Sequence, residues 1–136
     1  MIKKMFSSCR LILSLMLIFI SFCVRSQEYV SIITEVYRPD DIIKGWVFDH
    51  KMEKENISVL VKKDSLFIDD KRFILSEKYD TKESEYTRLE RFYAYQDSLI
   101  YHFDIFSSKK KGEENIRMFY LTIQDTNYRY FCLRLL

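Results

Sequence analysis

Short runs of alternating apolar and polar residues, each ended by a turn-forming cluster, fill the sequence from residue 57 onward. The first run is 57–61, and the clusters 63–65 and 69–71 follow the first two runs. A period of two residues is typical of a half-buried β-strand, and Asp, Asn and Ser favour tight turns. Because strands joined by such short turns pair with their sequence neighbours, this pattern predicts an antiparallel all-β fold.

The spacing of these runs indicates how many strands the fold contains. The predicted strands are 57–61, 66–68, 72–78, 87–95, 98–106, 116–124 and 128–135. Residues 79–86 are polar and are expected to form a loop. The front of the chain is less regular, with strand candidates at 29–37 and 45–49, an expected strand stop at Pro39, and a helical turn or loop at 40–43. Sequential hairpins form meanders that close, so we predict about seven to eight strands in a small barrel or half-barrel.

Aromatic residues support this assignment. The chain contains 10 Tyr and 11 Phe but only 2 Gly and 1 Pro, and Ala94 is its one alanine. Tyr, Phe, Ile and Val are enriched in strands, whereas Ala is the strongest helix former. In the run 98–106, Leu99, Tyr101, Phe103 and Ile105 are expected to share one face, with the intervening residues on the other.

The first 26 residues have the composition of a helical secretory signal. Residues 1–4 are basic and contain no acid, residues 11–24 form an apolar core, and Ser26 supplies a small residue before Gln27. This order of charge, apolar core and small-residue exit directs export and cleavage. We therefore predict a periplasmic or extracellular protein whose single antiparallel β domain is 27–136, with no membrane span after signal cleavage.

Two other interpretations use the same N-terminal residues. An uncleaved anchor needs about 20 apolar residues to cross a bilayer, and the run here is shorter. A lipoprotein would be acylated at Cys23, but the preceding Phe22 stands where such signals have a small residue. Lipid anchoring through Cys23 is thus the minor alternative to secretion.

Removing the signal changes both the charge and the cysteine content. The whole chain has 22 basic and 20 acidic residues, and because residues 1–26 hold four basic and no acidic ones, 18 and 20 remain, a formal charge of −2. Nucleic acids, which need a basic patch, are therefore not expected partners. Of three cysteines only Cys132 remains, so we expect no internal disulfide, no zinc site and no cofactor. Cys132 lies in an apolar run and is expected to be buried and inert.

The order of these features resembles that of a known family. An export signal, an early strand with Gly45-Trp46, and a meander of antiparallel strands are similar to the layout of small lipocalin-like (calycin) barrels, and also to many short exported bacterial proteins. Lipocalins carry Gly-x-Trp near the first strand, whereas Gly45 and Trp46 are adjacent here and no downstream arginine matches. The resemblance covers most of 28–136 and implies a barrel that binds a ligand, without assigning a binding residue.

Tyrosines supply the candidate binding residues. They crowd the last four predicted strands, and a small barrel lined by them would offer apolar walls with polar tips. The alternative is that the same rings fill the core and cover the outer faces of the sheet. The candidate ligand-binding residues are Trp46, Tyr95, Tyr101, Tyr120 and Tyr130.

Catalysis is the alternative function. His102 lies near Asp104 in one strand and could act as a base, but no nucleophile motif accompanies it. The paired carboxylates Asp40-Asp41 and Asp69-Asp70 stand where turns are expected, and neighbours in a strand point to opposite faces. We predict no catalytic residue and no metal site. The sequence therefore favours a non-catalytic module for a small amphipathic ligand or a protein partner, with an enzyme using His102 or a barrel carboxylate as the alternative.

Overall fold

The computed structural model of the protein describes residues 27–135. The predicted signal and the alternative lipid site at Cys23 lie outside the described residues. The predicted cleavage site before Gln27 lies at their edge. Within the described range, no helix is long and apolar enough to cross a membrane.

The chain folds into ten β-strands between residues 27 and 135, joined by turns and short connections. The strands are β1 (Gln27–Asp40), β2 (Gly45–Lys51), β3 (Ile57–Val61), β4 (Ser65–Ile68), β5 (Lys71–Leu75), β6 (Asp80–Glu83), β7 (Thr87–Gln96), β8 (Leu99–Ser108), β9 (Ile116–Ile123) and β10 (Thr126–Arg134). All of the pairs between them are antiparallel.

These strands form a closed barrel with eight positions around its wall. Neighbours follow the order β1, β3, β4, β5, β7, β8, β9 and β10, and β10 pairs back onto β1. The other two strands, β2 and β6, add no position to the wall, because each shares its place beside a long strand with another strand. β2 pairs with the second half of β1, whose first half pairs with β3, and β6 pairs with the first half of β7, whose second half pairs with β5. The predicted all-β barrel is confirmed, and it is closed rather than half-open.

The barrel has two ends with different connections. The upper end carries the turns between β1 and β2, β4 and β5, β7 and β8, and β9 and β10. The lower end carries the β3–β4 turn, the long β8–β9 connection, and the two ends of the described chain.

Two predictions about the strands were wrong. β1 continues through Pro39, which lies opposite Trp46 in β2. On the other side of β1, pairing with β10 ends at Tyr37, so at Pro39 that edge of the strand has no neighbour. A strand tolerates a residue without an N–H at such a free edge. The predicted loop 79–86 contains β6, which pairs with β7 despite having no apolar alternation.

Aromatic rings close the middle of the barrel. Phe103 stacks on Phe119 with ring centroids 5.7 Å apart, and Tyr29 meets Phe119 edge-on at 5.0 Å. All three residues are fully buried. We call this group the waist. Tyr101 and Ile105 pack against the core on the face of β8 predicted to be shared with Phe103, whereas Leu99, at the upper end of β8, is exposed. Cys132 is buried, as predicted.

Candidate functional site

A cavity of about 370 Å³ opens at the upper end of the barrel, above the waist. We call it the upper cavity. Its aliphatic and phenyl lining comes from four strands, β3, β4, β5 and β9, and consists of Ile57, Ile68, Phe73, Leu121 and Ile123. Each of these residues points inward because it occupies the inward-facing alternate position of its strand. The cavity thus has apolar walls on two sides of the barrel, from β3 to β5 on one side and from β9 on the other.

Three tyrosines project into this cavity. Tyr101 comes from β8, and Tyr128 and Tyr130, two residues apart, come from the inner face of β10. Tyr130 is buried, with 6% of its surface exposed, and Tyr101 packs edge-on against Phe73 with ring centroids 5.2 Å apart. Burial raises the pKa of both Tyr101 and Tyr130, so their hydroxyls stay protonated donors at neutral pH.

The hydroxyls in the upper cavity differ from those elsewhere in the barrel. Tyr29 donates to Gln27 Oε1 at 2.6 Å, and Tyr120 donates to the sulfur of Met118 at 3.8 Å. Among residues 27–135, no protein group forms a hydrogen bond with the hydroxyls of Tyr101, Tyr128 and Tyr130. Three donors therefore face one cavity with their hydrogen-bonding capacity unused by the protein.

Charges at the rim of the upper cavity are balanced. Lys54 donates to Asp69 Oδ2 at 2.6 Å, while Asp69 Oδ1 accepts the Ser58 N–H at 2.9 Å. The hydrogen bond from Lys54 is the main reason that the pKa of Asp69 lies below its usual value. Lys71 and Asp70 complete the rim with a second charge of each sign. Two cations and two carboxylates give the opening no net charge.

The five candidate residues from the sequence are divided by the fold. Tyr101 and Tyr130 lie together in the upper cavity. Trp46 lies on β2 and Tyr95 on the outer face of β7, with 37% and 39% of their surfaces exposed. Tyr120 lies on the outer wall, where the Arg129 guanidinium is 4.5 Å from its ring centroid. The fold therefore brings only two of the five together.

Sequence reasoning missed other members of the site. Tyr128 was part of the tyrosine-rich region but not one of the five candidates, although its spacing of two from Tyr130 places both on one strand face. Phe73 and Met52 also line the cavity. No sequence signal identifies these two, because Met52 lies outside the strands and Phe73 reaches the cavity only through barrel closure.

Neither histidine lies in the upper cavity. His102 is exposed on the outer wall of β8, where its ring centroid is 5.2 Å from that of Tyr93. Its neighbour Asp104 is half-buried, and burial raises the pKa of that carboxyl against the opposing effects of Arg91 and His102. Across residues 27–135, no group of three or more His, Cys, Asp or Glu side chains is arranged to hold a metal ion.

An apolar groove of about 440 Å³ lies on the outer wall near the lower end. Its lining includes the apolar side chains of Ile32, Phe106, Met118, Phe131 and Leu133. A protein partner, the other option predicted from the sequence, stays a prediction.

The fold and the upper cavity together define the class of protein: a closed antiparallel barrel of eight positions, filled at its waist and open at its upper end. This architecture is compatible with a lipocalin-like layout. No protein-family model matches the chain, and no curated protein or solved structure matches it.

Proposed function

We propose that this protein binds a small neutral or zwitterionic amphipathic molecule in the upper cavity. The observation that carries the proposal is the convergence of three tyrosine hydroxyls without protein partners on an apolar cavity of about 370 Å³. Ligand pockets are mostly apolar concavities of about 300–1,000 Å³ with a few convergent polar groups. The volume lies near the lower end of that range, which favours a small ligand.

The hydroxyls favour a ligand that carries hydrogen-bond acceptors. A purely apolar molecule would displace water from Tyr101, Tyr128 and Tyr130 without replacing its hydrogen bonds, at about 1–3 kcal/mol for each group fully desolvated. A carbonyl or ether oxygen would restore those bonds. The balanced rim, with Lys54 paired to Asp69, adds no preference for a charged ligand.

Filling the upper cavity tests the proposal. The neutral ketone probe prodan, whose emission shifts to the blue when it leaves water, is titrated into the purified protein. Ile123→Trp places a large side chain in the cavity lining, and Ile100→Trp makes the same change at a position with 59% of its surface exposed. We expect Ile123→Trp to weaken prodan binding at least tenfold and Ile100→Trp to change it less than twofold. Equal affinities in the two variants, or no saturable binding to the wild type, would overturn the proposal.

Removing single hydroxyls tests the role of the tyrosines without filling the cavity. A net contribution of about 0.5–1.5 kcal/mol for each hydrogen bond corresponds to roughly 2- to 12-fold weaker prodan binding in Tyr101→Phe or Tyr128→Phe. Tyr95→Phe, on the outer face, is the matched control. N-phenyl-1-naphthylamine, which has no carbonyl, should bind the variants at least as tightly as the wild type, because each Tyr→Phe change removes a hydroxyl that it would desolvate. If the two probes lose the same affinity, the hydroxyls do not recognise an acceptor.

A further inference from the structure

A second cavity, of about 310 Å³, opens at the lower end of the barrel. We call it the lower cavity. Tyr29 and Phe119 of the waist line it, and Val61 and Ile105 add apolar wall. Neither Tyr29 nor Phe119 lines the upper cavity. The lower cavity therefore begins where the waist ends and differs from the upper one in its lining.

Cations outnumber carboxylates around the lower cavity. Arg88 Nε lies 3.4 Å from a carboxylate oxygen of Glu83, and Lys109 Nζ lies 3.0 Å from the other. Lys78 Nζ lies 3.3 Å from Glu90. Of these residues, Arg88, Lys109 and Glu90 line the cavity, and Arg117 completes its charged lining, so three cations face it with one carboxylate.

The third cation of the lining is Arg117, on the inner face of β9. Its Nη1 donates to the carbonyl oxygens of Glu114 and Ile116 at 2.7 and 2.8 Å, which holds the guanidinium in place. Within residues 27–135, no carboxylate lies within ion-pair distance of Arg117. Its charge opposes the rise that burial causes in the pKa of Tyr29, as expected of a cation close to the floor of the cavity.

Arg88 also has unused hydrogen-bonding capacity. Its Nε is buried and, in the described part of the chain, makes no hydrogen bond, since the nearest oxygens of Glu83 and Glu90 are 3.4 and 3.8 Å away in poor geometry. Because Nε itself is enclosed, a ligand would meet the terminal Nη groups of Arg88, which make no hydrogen bond among residues 27–135 and are not enclosed; an oxyanion is the acceptor that a guanidinium prefers. Both arginines line the lower cavity.

We propose that the lower cavity binds a small organic anion, whose carboxylate or phosphate group is held by Arg88 and Arg117. Its apolar body would contact Tyr29 and Phe119. The volume of about 310 Å³ is larger than an inorganic oxyanion needs, which favours an organic anion. This site and its ligand class are independent of the proposed function of the upper cavity, whose rim has balanced charge.

Calorimetric titration with phenyl phosphate tests the lower cavity. The matched variants are Arg117→Gln and Arg72→Gln, since Arg72 is exposed on β5 and its replacement changes the net charge equally. We expect saturable binding to the wild type that weakens about tenfold or more in Arg117→Gln, as for the loss of a charge-assisted hydrogen bond. Arg72→Gln should stay within twofold. Equal losses in the two variants, or no binding to the wild type, would overturn the proposal.

Two further arms separate the chemistry of the ligand from general effects. Phenol, which lacks the anionic group, and inorganic phosphate, which lacks the ring, should both bind at least tenfold more weakly than phenyl phosphate. Equal affinity for either one contradicts the two-part recognition. Arg117→Gln should keep the wild-type far-ultraviolet circular dichroism spectrum, which shows that the barrel is folded without relying on any ligand. If this variant does not fold, Arg117→Lys, which keeps the charge, should retain part of the phenyl phosphate affinity if the proposal is right and none if it is wrong.

Discussion

Truncating the central aromatic ring of the waist is the sharpest test of how the barrel is held together. Phe119 is 1% exposed, stacks on Phe103 with centroids 5.7 Å apart and meets Tyr29 at 5.0 Å. Phe119→Ala would remove the ring from both contacts and leave a void between the upper and lower cavities.

The magnitude follows from these contacts. Replacing a buried Phe by Ala costs about 3–5 kcal/mol, and each favourable aromatic pair adds about 0.5–1.5 kcal/mol beyond the buried area. Because both pairs are lost in Phe119→Ala, we expect its free energy of unfolding to fall by an amount at the upper end of the 3–5 kcal/mol range, about 4–5 kcal/mol. Small domains have a total stability of about 5–15 kcal/mol, so this variant would be marginal.

Urea unfolding followed by far-ultraviolet circular dichroism measures the loss. Phe48→Ala, at a site with 50% of its surface exposed, is the control and should lose less than about 1 kcal/mol. Phe119→Leu keeps most of the volume and should lose about 1–2 kcal/mol, which provides a measurement if the alanine variant does not fold. A loss in Phe119→Ala no larger than in Phe48→Ala would refute the packed waist.

Three further predictions concern local features. In the β7–β8 turn, Asp97 and Ser98 both have positive φ, 46° and 68°, so Ser98→Gly should relieve backbone strain and raise the free energy of unfolding by about 0.5–1 kcal/mol in urea melts; a loss would contradict this. Because Lys54 lowers the folded-state pKa of Asp69, the wild type should exceed Asp69→Asn in stability above the ordinary Asp pKa of about 3.9, and the difference should disappear as the pH falls through the lower folded pKa; a difference independent of pH would contradict the ion pair. Burial raises the pKa of the Cys132 thiol to about 12, so Ellman's reagent should label it at least 100-fold more slowly in buffer than in urea, and comparable rates would show that the thiol is accessible.

The architecture was predictable because one strong signal repeats along the chain. Alternation with a period of two, closed by Asp- and Ser-containing turns, identified the hairpins from β3 onward apart from β6. It also grouped Tyr101, Phe103 and Ile105 on one face of β8, which the structure shows to be the inner one. Hairpin pairing is local, so neighbouring strands could be assigned without knowledge of the rest of the fold.

β6 could not be predicted because its residues do not alternate between apolar and polar, and the contacts that stabilise it are made with another strand. Its residues are polar, and it is held to β7 by pairing and by cross-strand charges: Asp80 opposite Arg91, with 4.0 Å between their charged atoms, and Glu83 opposite Arg88, at 3.4 Å. A run of charged residues predicts a solvent-exposed loop unless the strand that pairs with it is known. The continuation of β1 through Pro39 was missed for a related reason, since only the finished sheet shows which strand edge is free.

The candidate site was only partly predictable because a shared strand face does not reveal which face is inside. In β10, alternation puts Phe131 and Leu133 on one face and Tyr128, Tyr130 and Cys132 on the other, but only the structure shows that the first face is the outer wall and the second the inner one. Barrel closure decides between the two faces, and it depends on the pairing of β10 with β1 across most of the chain.

Native mass spectrometry of the protein isolated from the cells that produce it tests the central claim, that the upper cavity holds a small ligand. The wild type should carry one small molecule per chain, Ile100→Trp should retain it, and Ile123→Trp should lose it. A bare chain mass for the wild type under gentle ionisation, or an adduct that persists in Ile123→Trp, would contradict the claim.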